Sequence, residues 1–121
     1  MSTFEIAKKY VALCREHRHE ECLALFSKDA VSVEAAAPPG GERTAKGLDA
    51  IRAKGATWAQ NHEVHKAEVA GPYPHDDRFA VRFTYEVTHK PTGQRRSLDE
   101  IGLFTVEGGK ITREEFFYPT G

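Results

Sequence analysis

Apolar residues recur with the period of a helix in the first half of the chain and with a period of two in the second half. This pattern predicts a helical first half and a strand-rich second half. Ser2-x-x-Glu5 has the form of a capping box, in which a hydroxyl and a carboxylate satisfy helix N–H groups. The residues that follow recur at the spacing of one helix face: Ile6, Tyr10, Leu13 and Cys14. A second short helix is predicted from Cys22, Leu23 and Phe26, and a third from Leu48, Ile51, Gly55 and Trp58.

Alternation of apolar and polar residues predicts the strands. It is clearest in one run of alternating residues: Phe79, Val81, Phe83, Tyr85 and Val87 on one face, with Arg82, Thr84 and Glu86 on the other. The predicted strands are Val31–Glu34, Glu63–Ala70, Phe79–Val87, Arg95–Glu107 and Ile111–Tyr118. Proline and glycine predict a loop over residues 35–46 and turns over 71–77, 90–93 and 108–109.

Helices that precede an antiparallel sheet predict one α+β domain over residues 1–121. A long sheet curved around three helices encloses a cone, so we expect a ligand cavity at its open end. Gly55 lowers helix propensity, and we therefore predict a close packing contact there.

Charge and composition exclude several classes of function. Seventeen basic and eighteen acidic residues leave a net charge of −1, which argues against nucleic-acid and anionic-membrane partners. Two cysteines and the absence of a signal-peptide pattern predict a cytoplasmic protein. No phosphate-binding or dinucleotide glycine pattern and no metal-ligand spacing is present, so neither a cofactor nor a metal is predicted.

Four segments together carry a resemblance to a known family: Lys9-Tyr10-Val11-Ala12-Leu13, Ala24-Leu25-Phe26-Ser27-Lys28-Asp29-Ala30-Val31, Gly47-Leu48-Asp49-Ala50-Ile51 and Gly109-Lys110-Ile111. They resemble the nuclear transport factor 2-like superfamily, and within it small bacterial SnoaL-like proteins. The resemblance implies a cone-shaped α+β barrel that dimerises through its sheet. It also implies kinship with the SnoaL polyketide cyclase and ketosteroid isomerase, although one such fold supports many chemistries.

The resemblance to ketosteroid isomerase implies two catalytic positions. An ungapped alignment on Phe26-Ser27-Lys28-Asp29-Ala30 places Tyr10 on the oxyanion tyrosine and Glu34 on the general base. The protonated aspartic acid has no counterpart, because Gly102 stands at its position. Glu100, two residues earlier on the same strand face, is the nearest replacement.

Each of these residues also has a structural interpretation. Glu34 is either a solvated carboxylate at the end of a strand or a base at the mouth of a cavity. Tyr10 is either a core tyrosine with a backbone partner or a donor to an oxyanion. Lys46 and Lys54 either neutralise a carboxylate or acidic ligand or, as lysines usually do, lie at the surface.

Glu100 and Glu114 are predicted to lie on one inward, aromatic-rich face. Glu114 shares one face of its strand with Phe116 and Tyr118, and Glu100 shares one face of the preceding strand with Phe104. Two carboxyl groups there are expected to have separated pKa values, one group protonated and one ionised. The alternatives are a salt bridge to Arg82 or Arg113, or a rotated strand with both carboxylates in solvent.

His65 is a candidate second acid or base, although a lone histidine on a strand also fits a hydrogen-bonded or interface residue. The predicted ligand-binding residues are Trp58, Phe83, Phe104, Phe116 and Tyr118. Together these residues predict a cofactor-independent isomerase, lyase or cyclase acting on a small apolar carbonyl compound. The alternative is a non-catalytic ligand-binding or dimerisation domain of the same fold.

Overall fold

Capping at Ser2 begins the first helix as the sequence predicts. In the computed structural model, which describes residues 1–120, the Ser2 N–H donates to Glu5 Oε1 at 3.0 Å and the Glu5 N–H donates to Ser2 Oγ at 3.2 Å. The elements are α1 (Thr3–Arg15), α2 (His19–Leu23), β1 (Phe26–Val33), β2 (Thr44–Lys46), α3 (Leu48–Asn61), β3 (His62–His75), β4 (Arg78–His89), β5 (Gln94–Glu107) and β6 (Lys110–Phe117). The α+β class is therefore confirmed.

One six-stranded sheet runs in the order β2-β1-β6-β5-β4-β3. The β1–β6 pairing is parallel, and all others are antiparallel, so the sheet is mixed rather than antiparallel as predicted. Most of the chain separates β1 from β6, so no hairpin sets their relative direction. This pairing places Ser32 opposite Glu114.

The sheet is also open, which corrects the expectation of a closed barrel. Its edges are β2 and β3, and they do not pair with each other within the described residues. Helix α3 connects these two edge strands in the chain and contacts both of them as well as β1. Within residues 1–120, the packing of α3 therefore connects the two edge strands, and hydrogen bonds between them do not.

The predicted turn over residues 71–77 is wrong in its first five positions. Strand β3 continues to His75, and the turn consists of Asp76 and Asp77. A register shift between Ala70 and Tyr73 accommodates Gly71, whose φ is +119°, together with Pro72. Because β3 is an edge strand with a bulge there, the missing N–H of proline breaks no necessary ladder bond.

Two other predicted boundaries also change. Strand β1 begins at Phe26 rather than at Val31, and the predicted loop over residues 35–46 contains β2. Strand β2 pairs residues 44–46 with residues 31–33 of β1. The loop therefore spans only the residues between these strands.

The core lies between α1 and the inner face of the sheet. The Tyr10 ring centroid is 4.6 Å from that of Phe104 and 6.0 Å from that of Phe79. Gly55, by contrast, is exposed, and a Cβ built there would meet no atom within 4 Å. The predicted packing contact at Gly55 is wrong, because this position of α3 faces away from the sheet.

Candidate active site

Glu34 is held at the end of β1 by partners from three parts of the fold. Its Oε1 atom lies 2.7 Å from Lys54 Nζ of α3, and its Oε2 accepts a 2.8 Å hydrogen bond from the Tyr118 hydroxyl. Its backbone N–H donates to the Arg43 carbonyl at 2.8 Å. Only 23% of the Glu34 side chain is exposed. The interpretation of Glu34 as a free, solvated carboxylate is therefore wrong.

Lys54 stands at the centre of this arrangement. Its ammonium donates to Ser32 Oγ at 2.5 Å and lies 5.2 Å from the centre of the Phe116 ring. Lys54 is three residues after Ile51 and four before Trp58, which places it on the inner face of α3. This spacing could have identified Lys54, although the sequence favours a surface position for this lysine. Ser32 is two residues before Glu34, so the two side chains lie on the same face of the extended chain.

Glu114 is the buried carboxyl of the cluster, with a relative exposure of 6%. Burial raises its pKa to about 7, against opposing effects of the Ser32 hydrogen bond and the Lys54 charge, while the Glu34 charge raises it further. Glu114 faces inward on β6, opposite Ser32 of β1 and Phe104 of β5. The predicted inward direction of this strand face is confirmed.

Glu100 lies on the neighbouring strand, opposite Phe83 of β4. Burial raises its pKa to about 7 as well, and the charges of Glu34 and Glu114 raise it while Lys54 lowers it. Both pKa values thus rise together, rather than separating as predicted. The predicted alternative of salt bridges is not found, because Arg82 pairs with Asp99 and Arg113 with Glu115.

Tyr10 lies deeper in the core. Burial raises the pKa of its hydroxyl well above the ordinary value, and the neighbouring Cys14 and Glu114 raise it further. Its ring centroid is 4.6 Å from that of Phe104, the residue that pairs with Glu114 across β5 and β6. Tyr10 therefore approaches the cluster from the side of Glu114.

Gly102 cannot be replaced by an acid without displacing aromatic rings. A Cβ built at Gly102 would lie 2.8 Å from the Phe104 ring and 3.2 Å from the Phe116 ring. The two rings occupy the space that a carboxyl at this position would need. The carboxyl groups of Glu100 and Glu114 lie on either side of this point instead.

Aromatic rings form a continuous wall beside the carboxyl cluster. Ring centroids are 5.7 Å apart for Trp58 and Tyr85, 6.3 Å for Tyr85 and Phe83, 6.4 Å for Phe83 and Phe116, and 6.3 Å for Phe116 and Phe104. Four of the five predicted ligand-binding residues lie on this wall. The fifth, Tyr118, hydrogen-bonds Glu34.

Comparison with known proteins assigns this arrangement to a family. The SnoaL-like domain family matches residues 1–118. The chain belongs to this family. A Mesorhizobium loti crystal structure assigned as a SnoaL-like polyketide cyclase is 41% identical, with a TM-score of 0.91 over 98% of this chain and 100% of that one.

More distant structures share the fold of this SnoaL-like protein. A Bacillus subtilis protein assigned as an isomerase is 20% identical, with a TM-score of 0.75 over 98% of this chain and 90% of that one. TerC, crystallised with polyporic acid, is 23% identical, with a TM-score of 0.73 over 97% and 91% of the two chains. No curated protein matches the chain.

His65 of the SnoaL-like protein lies apart from these contacts. Its exposed side chain sits where the register between β3 and β4 shifts, and its Nε2 is 2.7 Å from Thr88 Oγ1. Among residues 1–120, His65 makes no ion pair or hydrogen bond with Glu34, Glu100 or Glu114. A catalytic role for His65 stays a prediction.

Two open grooves adjoin the sheet of the SnoaL-like protein. One of about 500 Å³ includes Glu100 and Tyr118 in its lining, together with Asp99, Ile101 and Phe117. The other, of about 450 Å³, lies between Arg15 and strands β3 and β4. Neither groove is lined by Glu34 or Glu114, so a closed ligand cavity at these carboxyls stays a prediction.

No helix in the described part of the SnoaL-like protein has the length and apolar character needed to span a membrane.

Proposed function

We propose that this SnoaL-like protein is a cofactor-independent isomerase, lyase or cyclase that acts on a small apolar carbonyl compound. The observation that carries the proposal is the ion pair of Glu34 with Lys54 beside an aromatic wall, with Glu114 opposite Ser32, the hydrogen-bond partner of Lys54. The pKa values of Glu100 and Glu114 are raised to about 7. The cluster therefore combines an ion-paired carboxylate with two carboxyl groups that can donate protons near neutral pH.

Glu34 is the proposed base. Its carboxylate would remove a proton from the carbon next to the substrate carbonyl, while Lys54 and Tyr118 hold its two oxygens in place. The negative charge of the resulting enolate then develops on the carbonyl oxygen. Return of the proton at another carbon would give an isomerase, and attack of the enolate on a second carbonyl would give a cyclase.

Glu100 is the proposed donor to that oxygen. A carboxyl group that stays neutral near pH 7 can donate a hydrogen bond to a developing oxyanion. This hydrogen bond is stronger in a site from which water is excluded. Glu100 also lines the groove of about 500 Å³, through which a substrate would reach it. Glu114 and Tyr10 lie behind it as the second acid and a deeper donor, and the aromatic wall would hold the apolar body of the substrate.

Replacement of Glu34 by glutamine tests the mechanism. A panel of cyclic β,γ-unsaturated ketones and β-keto esters is incubated with the protein in D₂O, and exchange of the protons next to the carbonyl is followed by NMR. We expect protein-dependent exchange that falls about 100-fold or more in Glu34→Gln, because a positioned base contributes a factor of that size. The control is Glu107→Gln, which changes an exposed carboxylate in the last hairpin.

The outcomes separate the two candidate functions. Equal exchange in wild type and Glu34→Gln overturns Glu34 as the base. Binding of these ketones without any exchange favours the non-catalytic alternative. That alternative is also supported by Ile101 and Phe117, which lie opposite each other on the outer face of the sheet and are 38% and 47% exposed. This face suits a homodimer, which we propose for either function.

We also propose that the protein is cytoplasmic. The support is the low cysteine content, because two cysteines in 121 residues do not make the disulfide framework of a small secreted domain. Fractionation of the producing cells, with a periplasmic and a cytoplasmic marker enzyme, is the test.

A further inference from the structure

Cys14 and Cys22 are the only cysteines of the chain, and the fold brings them together. Cys14 lies in the last turn of α1 and Cys22 lies in α2, and their sulfur atoms are 3.7 Å apart. A disulfide needs about 2.05 Å between the sulfur atoms. The two sulfurs therefore have to approach by less than about 2 Å for a bond to form.

The segment between the two cysteines can accommodate this approach. Residues 16–18 form an exposed turn in which His17 has a φ of +58°. Backbone hydrogen bonds from His17 to Cys14 and from Cys22 to Arg18 fold α2 back against α1. The turn is short and lies at the surface, so the approach of the two sulfur atoms needs no rearrangement of the residues between α1 and α2 beyond this turn.

The pKa values of the two thiols are shifted in opposite directions, as a reactive pair of thiols requires. The hydrogen bond from Cys22 lowers the pKa of Cys14 below its ordinary value, and a hydrogen bond with Tyr10 adds to this, against burial and the Glu114 charge. The pKa of Cys22 is raised, first by its hydrogen bond with Cys14 and then by burial. As whole residues, Cys14 is half-buried and Cys22 is buried.

We propose that Cys14 and Cys22 form a peroxide-reactive dithiol that closes to an intramolecular disulfide. The Cys14 thiolate attacks one oxygen of hydrogen peroxide or an organic hydroperoxide, the O–O bond breaks, and the other oxygen leaves as water or an alcohol after taking up the thiol proton. The Cys22 thiol then attacks the sulfur of the Cys14 sulfenic acid, the S–O bond breaks, and water leaves with the second thiol proton. Two thiols are oxidised and one peroxide is reduced.

This dithiol is independent of the proposed acid–base chemistry, but it adjoins it. Cys14 follows Tyr10 by one turn of α1, and the Cys22 thiol donates to the Tyr10 backbone carbonyl at 4.0 Å. Disulfide formation would therefore change the contacts of the helical turn that carries Tyr10.

Peptide mapping of the wild-type protein tests the disulfide directly. The folded chain is treated with one equivalent of hydrogen peroxide, remaining thiols are alkylated, and the protein is digested with trypsin. Cleavage after Lys9, Arg15, Arg18 and Lys28 separates the two cysteines into peptides 10–15 and 19–28. We expect these peptides to be joined by a disulfide, both free thiols of each chain to be lost, and dithiothreitol to restore them.

Two serine variants assign the roles. In Cys22→Ser we expect Cys14 to stop at the sulfenic acid, which dimedone traps. In Cys14→Ser we expect the reaction of the remaining thiol with peroxide to be at least about tenfold slower than that of Cys14, since it is buried and its thiolate is disfavoured. Circular dichroism establishes that each variant is folded.

The proposal is overturned if wild-type Cys14 accumulates as sulfenic or sulfinic acid while Cys22 stays free. It is equally overturned if the disulfides formed join different chains, which non-reducing electrophoresis and the mass of the intact protein distinguish. Since the peptide map uses the wild-type protein, a serine variant that fails to fold does not affect this decision.

Discussion

At the scale of single residues, Lys54 determines how charge is distributed in the candidate site. It pairs with Glu34, donates to Ser32, and lowers the pKa values of both Glu100 and Glu114. Burial nevertheless raises both of those pKa values to about 7, so desolvation outweighs the single positive charge. The charge of one lysine does not offset the burial of all the neighbouring carboxyl groups. Glu100 and Glu114 therefore stay available as acids near neutral pH.

Glu114 makes stability depend on pH. Its pKa rises from 4.5 to about 7 on folding. Between these pH values the folded chain holds a proton that the unfolded chain has released, so the stabilisation is complete below about pH 4.5 and lost as pH rises through 7. At about 1.4 kcal/mol per pKa unit, the free energy of unfolding would fall by at most about 3 kcal/mol across this window.

Urea unfolding at pH 5 and pH 8 measures this effect. We expect Glu114→Gln, which cannot ionise, to lose about half of the decrease, because the pKa of Glu100 is raised to the same value and contributes the other half. Glu107→Gln serves as the control and should keep the wild-type dependence. An equal decrease in wild type and Glu114→Gln would show that Glu114 is ionised in the folded protein.

Gly102 is required by packing rather than by backbone conformation. Because its added Cβ would lie 2.8 Å from the fully buried Phe104 ring, Gly102→Ala forces two aromatic side chains to move. We expect the free energy of unfolding to decrease by about 1–3 kcal/mol, the usual cost of overpacking a core. Denaturant unfolding measures it, and an unchanged midpoint would mean that the rings relax freely.

At the scale of elements, α3 presents two adjacent residues to opposite environments. Lys54 faces the carboxyl cluster, whereas Gly55 faces solvent with no atom near its missing Cβ. The helical period places both residues close to the apolar stripe, and only the position of the sheet decides which of them is covered.

Gly55→Ala is therefore expected to stabilise the protein. Alanine has the higher helix propensity, and its methyl group meets no neighbour here, so the free energy of unfolding should increase by about 0.5–1 kcal/mol. The melting temperature and the urea midpoint both report the change. Glycine-to-alanine substitution is thus expected to stabilise the protein at position 55 and to destabilise it at position 102. Destabilisation by Gly55→Ala would contradict the exposure of this face of α3.

At the scale of the whole molecule, the open sheet leaves its outer face uncovered. Ile101 and Phe117 form an exposed apolar pair on neighbouring strands and line the same groove as Glu100 and Tyr118. A second copy of the chain bound at this face would therefore cover part of the proposed entrance of the substrate.

Phe117→Lys tests this arrangement. We expect the wild-type chain to sediment as a dimer, and its dissociation constant to rise by at least about tenfold in the variant, because buried aromatic residues dominate interface energies. Tyr73→Lys, a change at a more exposed aromatic residue on the edge strand β3, is the control. A wild-type monomer in analytical ultracentrifugation would rule out the dimer, and so would equal effects of the two variants.

The amino-acid sequence by itself determined the family and most of the helices and strands, although not β2 or the beginning of β1. Capping at Ser2, the helical period of α1, the alternation in β4 and the inward face that carries Glu114 are set by neighbours along the chain, and the structure confirms each. Only the tertiary structure decided the parallel pairing of β1 with β6, the open sheet, and the contacts of Glu34 with Lys54 and Tyr118. Tyr118 is 84 residues from Glu34 along the chain. Local patterns specify which face a residue occupies, whereas contacts between distant residues depend on how the sheet curves around its helices.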